Sequence, residues 1–152
     1  TLTESGSIGN KDKTAIGSVS VLKRITQSGP VYENTHKNKA RYLEDAKEYF
    51  FVNKFFGMNP DDLIYDPSGP LYFTQDNIYS IGNIKGLSAV EFKKIYLHKL
   101  MRFTLAYYRG TNTRCLGWSI RELPKIPATT TDLYKLANLT EEEIVYVESV
   151  IK

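Results

Sequence analysis

The sequence predicts an α+β domain: a small mixed or antiparallel sheet, a long central helix and short C-terminal helices. Three observations carry this. Ser18–Thr26 (SVSVLKRIT) sets Val19, Val21 and then Ile25 against polar neighbours, the period of a half-buried strand. Ser88 followed by Glu91 has the spacing of a capping box, ahead of apolar residues at helical intervals. Beyond the proline- and glycine-punctuated stretch Asn59–Pro70, Leu71–Phe73 and Asn77–Ile81 read as further short strands.

Taken in order, residues 1–17 (TLTESGSIGNKDKTAIG) are polar and glycine-containing, and read as a flexible leader; 18–152 read as one domain. Thr1 in place of an initiator methionine suggests a piece of a longer protein. Ser28-Gly29-Pro30 ends the first strand. Asn38–Phe56 puts Tyr42, Leu43, Ala46, Tyr49 and Phe50 at helical spacing and stops at Gly57, which predicts an amphipathic helix with an aromatic core stripe. Asn59–Pro70 (NPDDLIYDPSGP) is loop around at most a very short strand. Leu71–Phe73 and Asn77–Ile81 are short strands. From Ser88 a single long helix is expected to run to Gly110, its apolar face made of Val90, Ile95, Leu97, Leu100, Met101, Leu105 and Ala106. Asp132–Ala137 is a short helix, and Thr140 with Glu143 caps a last one through Ile151.

A chain of 152 residues, 41% apolar and 24% charged, has enough apolar surface to bury one core. Its apolar runs fall well short of the roughly 20 residues a membrane span needs, so no membrane partner is expected. The single cysteine, Cys115, cannot close an internal disulfide and suits a reducing compartment, which makes the cytoplasm the expected location. Asn138-Leu139-Thr140 spells a glycosylation acceptor, but it is read as a loop and helix cap.

The net charge of +3 is modest, but its distribution is uneven. Residues 91–125 carry eight basic side chains (Lys93, Lys94, Lys99, Arg102, Arg109, Arg114, Arg121, Lys125) against Glu91 and Glu122. Residues 1–90 balance at ten of each sign, and the tail from Ile126 is net acidic. Such polarity suits either solvated helix faces or a surface for a polyanion.

Catalytic motifs are lacking. His36, His98 and Cys115 share no metal-ligand spacing, and Ser5-Gly6-Ser7-Ile8-Gly9 has no P-loop lysine, so no cofactor is expected in this chain. Asn59-Pro60-Asp61-Asp62 lacks the second proline and the aromatic of an adenine methyltransferase loop. Asp76 with Glu91-Phe92-Lys93 has the residue order of a metal-dependent nuclease, which stands as an alternative. A protein-interaction module docking through the aromatic helix of 38–56 is another.

From Asn77 on, three segments resemble the C-terminal target-recognition region of restriction-modification N6-adenine DNA methyltransferases, particularly those in which methylation and cleavage share one polypeptide (Type IIG-like). They are Lys99-Leu100-Met101-Arg102-Phe103, the proline-bracketed Leu123-Pro124-Lys125-Ile126-Pro127, and Leu133-Tyr134 with Leu139 to Ile144. The resemblance covers about the second half of the chain, and residues 1–76 show no match. It implies a specificity module, non-catalytic by itself, whose partners are double-stranded DNA and the catalytic methyltransferase region of the same parent chain. S-adenosylmethionine would be the parent's cofactor. In such a module Arg109, Arg114 and Arg121 can span guanine O6 and N7, Asn112 the adenine N6 and N7 edge, and Thr111 or Thr113 a thymine methyl. Lys93, Lys94 and Lys99 would hold phosphates, with Lys37 and Lys39 as further contacts near the start of the expected helix. Trp118 would either anchor the loop or stack on a base.

Overall fold

A computed structural model describes residues 3–4, 10–11, 17–54, 56–57, 59–82, 86–109, 124–127 and 129–151. The strands are β1 (Thr3–Glu4), β2 (Asn10–Lys11), β3 (Ser18–Thr26), β4 (Gly29–His36), β5 (Arg41–Leu43), β6 (Phe50–Asn53), β7 (Ile64–Tyr65), β8 (Leu71–Phe73) and β9 (Ile78–Gly82). The helices are α1 (Ala89–Tyr96), α2 (Lys99–Arg109), α3 (Leu133–Leu136) and α4 (Glu141–Val150). The α+β class therefore holds.

The strands form two sheets, one ordered β2-β5-β8-β3-β4 and the other β1-β9-β6-β7. Every pairing is antiparallel except β3 with β8, where Val21 faces Tyr72 and Leu22 faces Phe73. Both short strands of the expected leader take part: Thr3 and Glu4 pair with Gly82 and Ile81, and Asn10 and Lys11 with Tyr42 and Arg41.

The central strands of the four-stranded sheet, β6 and β9, are buried on both sides. Phe51 and Ile78 join Leu22, Ile25, Leu43, Leu71 and Phe73 in a core facing the five-stranded sheet. Phe50, Val52 and Ile81 instead join Phe92, Ile95, Tyr96, Met101 and Leu105 beneath the helices. Successive β6 residues thus point to opposite cores, the period of two expected of a strand.

This corrects the helix expected over Asn38–Phe56. That stretch folds as a 3-10 turn (Lys37–Lys39), β5, a second 3-10 turn (Ala46–Glu48) and β6. Burial on both faces makes three consecutive residues of β6 apolar, which removes the alternation that marks a half-buried strand. The interaction reading loses its docking helix.

The long central helix is also divided, at Leu97–His98. Its capping box forms as expected: Ser88 Oγ accepts from Glu91 N at 3.2 Å, and Ser88 N donates to Glu91 Oε2 at 2.7 Å. His98 Nδ1 then accepts the Leu100 N–H at 3.1 Å, a side-chain cap that starts α2 afresh. Val90 and Ala106, expected on the apolar face, are exposed; Phe92 and Tyr96 are buried instead. Helix α3 and α4 form where expected, with Asp132 capping the first and a Thr140/Glu143 capping box the second.

A polar cluster docks α4. Glu148 Oε2 accepts from Lys99 Nζ at 2.7 Å and its Oε1 from Tyr134 Oη at 2.5 Å, while the Tyr134 ring meets His98 edge-on at 4.8 Å. Hydrogen bonds from Lys99 and Tyr134 hold the Glu148 carboxyl below its ordinary value, and burial holds the His98 imidazole below 6.5 against the pull of Glu148 and Asp132. Both groups take up protons more readily when unfolded, so the stability they contribute is present at neutral pH and lost on acidification. The His98 contribution falls away as pH drops below 6.5, and that of Glu148 as it drops below 4.5. Thermal midpoints measured from neutral to acid pH should decline in that order, and Glu148→Gln should remove the lower step and, by taking away a charge that raises the His98 value, enlarge the upper one.

Candidate nucleic-acid interface

The basic stretch begins on α1, whose Phe92, Ile95 and Tyr96 face the core. Phe92 lies 5.1 Å from Phe50 and stacks on Tyr96 at 5.1 Å, which fixes the rotation of the helix about its axis. Lys93 and Lys94 consequently occupy the last turn on the outer side. Lys94 is exposed, with no ion pair among the described residues; Lys93 Nζ lies 3.4 Å from the Pro60 carbonyl oxygen.

The other expected contacts are placed differently. Lys99 is committed to Glu148 in the cluster that docks α4. Lys37 and Lys39 sit on a 3-10 turn rather than at the start of an α-helix, with the Lys37 N–H donating to Gly17 O at 3.0 Å. The backbone of α2 extends to Arg109. The Arg109 side chain, together with Thr111, Asn112, Thr113, Arg114, Trp118 and Arg121, lies outside the described residues.

The chain is described again from Pro124, and here a residue that sequence reasoning passed over becomes informative. Tyr96 is fully buried, yet its hydroxyl accepts the Ile126 N–H at 2.8 Å, and Ile126 packs against the helical core. Burial pushes the Tyr96 phenol above its ordinary value, so it stays neutral. Ile126, 30 residues beyond Tyr96, is thus tied back to the helix that precedes α2. Phe92, Ile95 and Tyr96 at i, i+3 and i+4 were the available signal for that buried face; nothing in the sequence marks the hydroxyl's partner.

The nuclease arrangement is not assembled as a free acid pair. The Glu91 carboxylate is held by Ser88, which keeps it below its ordinary value, and Asp76 is exposed on a turn with its N–H on Thr74 Oγ1 at 3.3 Å. Among the described residues no group of three His, Cys, Asp or Glu side chains could hold a metal ion, and no helix is long and apolar enough to cross a membrane. No protein-family model, curated protein or solved structure matches this chain.

Proposed function

We propose that this chain recognises a double-stranded DNA sequence as the target-recognition module of a restriction-modification N6-adenine methyltransferase, and is non-catalytic by itself. The observation that supports this is where the described chain stops and resumes: α2 runs to Arg109 and Ile126 is held by Tyr96, so both ends of the stretch that contains Asn112, Arg114 and Arg121 belong to the helical layer. Base edges in a groove about 12 Å wide are read by loop side chains when a scaffold fixes the ends of the loop. Lys94, exposed beside that layer, is suited to a phosphate, with Lys93 next to it. The partners in this reading are duplex DNA and the methyltransferase region of the parent chain, which would bind S-adenosylmethionine, and the setting is the cytoplasm.

The two kinds of contact separate experimentally. Arg114→Ala should relax preference at one base pair, a loss of about 1–3 kcal/mol confined to that position. Lys94→Ala should weaken every sequence alike and lower the salt slope by about 1. Fluorescence anisotropy with a randomised duplex pool over a salt series measures both. Equal, sequence-blind losses from the two changes would defeat the assignment of readout to the loop, and no duplex binding at low salt would defeat the whole reading.

A further inference from the structure

We infer that a groove at the seam between the two sheets is a second anion site that takes a phosphate oxyanion. It encloses about 320 Å³ and is lined by Lys23, Arg24 and Glu33 of the five-stranded sheet and by Asn53, Lys54 and Asn77 around the end of β6. Three cations face one carboxylate there, although residues 1–90 as a whole are neutral.

A break in the ladder builds this site. Adjacent residues of a regular strand point to opposite faces, so Lys23 and Arg24 could not both line one groove. Leu22 pairs with Tyr32 and Arg24 with Val31, which leaves Lys23 as an inserted residue, and such bulges re-aim side chains. The other wall is fixed by hydrogen bonds. Asn53 uses both its amide groups on Ile25, accepting from the N–H and donating to the carbonyl, each at 2.9 Å. The Lys54 N–H donates to Asn77 O at 2.8 Å. Glu33 approaches Lys23 only to 3.9 Å and both remain partly exposed, a contact loose enough for an anion to compete for the lysine. Lys and Arg donors with a neighbouring amide suit phosphate oxygens.

The site stands on its own geometry, so it can fail or survive apart from the DNA reading. Backbone amide resonances of the intact chain are followed during titration with inorganic phosphate, with chloride at matched ionic strength, and with a short duplex. Saturable shifts at Arg24, Lys54 and Asn77 with phosphate but not chloride are expected. The Arg24→Gln/Lys54→Gln pair should weaken phosphate about tenfold, the size of losing two solvent-screened ionic contacts. Glu33→Gln, which removes the carboxylate, should tighten it, and Lys93→Gln/Lys94→Gln should leave it unchanged. Displacement of phosphate by the duplex identifies the occupant as a nucleic-acid backbone; saturable phosphate binding without displacement identifies a small phosphate compound and equally supports the site. Chloride shifts matching those of phosphate, or no shift at the groove with any probe, would overturn it.

Discussion

Phe51→Ala should lower the unfolding free energy by about 3–5 kcal/mol, a large share of the roughly 5–15 kcal/mol typical of a domain. Phe51 is fully buried, yet it belongs to a thin strand with a core on either side. Its ring meets Phe73 edge-on at 5.3 Å, so it is an apolar contact through which β6 holds the neighbouring sheet. Its alanine variant leaves a ring-sized void between two sheets whose backbones are fixed by their own ladders, and they cannot close on it. Phe51→Leu keeps much of the volume and should cost about 1–1.5 kcal/mol. Val145→Ala, on an exposed position of α4, should stay within about 0.5 kcal/mol of the unaltered protein. Urea denaturation of the three variants measures the series. A Phe51→Ala loss below about 1.5 kcal/mol would mean that the two sheets do not share this core.

The same strand explains what the sequence could and could not disclose. β3 was legible to both ends because Val19, Val21 and Ile25 alternate with polar neighbours and Ser28-Gly29-Pro30 closes it, and the capping boxes of α1 and α4 were legible because they are local hydrogen-bond patterns. β6 was not, since Phe50, Phe51 and Val52 are all buried and a strand between two cores has no alternation to read. β4 left no pattern for the opposite reason: it pairs on one edge only, and Tyr32, Glu33 and Asn34 all face water. The division of the long helix turned on one imidazole, His98, reaching back to a backbone N–H, a choice that helix spacing does not record.

For the candidate interface, sequence exposed the charge but not its engagement. Lys99 and Lys94 look alike in the chain, and only packing shows that one is bound to Glu148 and the other open to solvent. The cations at the sheet seam were hidden because the ten acidic residues of 1–90, Glu33 of the groove among them, cancel its ten basic ones in any sum over sequence. Position in space, which decides what an anion meets, is set by a one-residue bulge and by an asparagine far away in the chain.

That asparagine supplies the second large effect. Asn53→Ala should cost about 2–4 kcal/mol, because it leaves two groups of one residue without partners, at about 1–3 kcal/mol for each unsatisfied buried group. Parallel pairing of β8 with β3 stops at Phe73 opposite Leu22. Further along β3, the N–H and C=O of Ile25, a residue only 6% exposed, have no strand to meet and are taken by the Asn53 amide from the other sheet. An aspartate in its place keeps the acceptor for the Ile25 N–H but turns a carboxylate oxygen toward the Ile25 carbonyl, so Asn53→Asp should be destabilising too, and more so at neutral pH than in mild acid. Because the bridge also fixes the wall that carries Lys54, Asn53→Ala should weaken phosphate at the seam under conditions where the protein remains folded. Urea unfolding and the phosphate titration, run on the same variant, test the two consequences together. A stability loss below about 0.5 kcal/mol would show that water replaces the amide without cost and that the sheets are joined by apolar contacts alone.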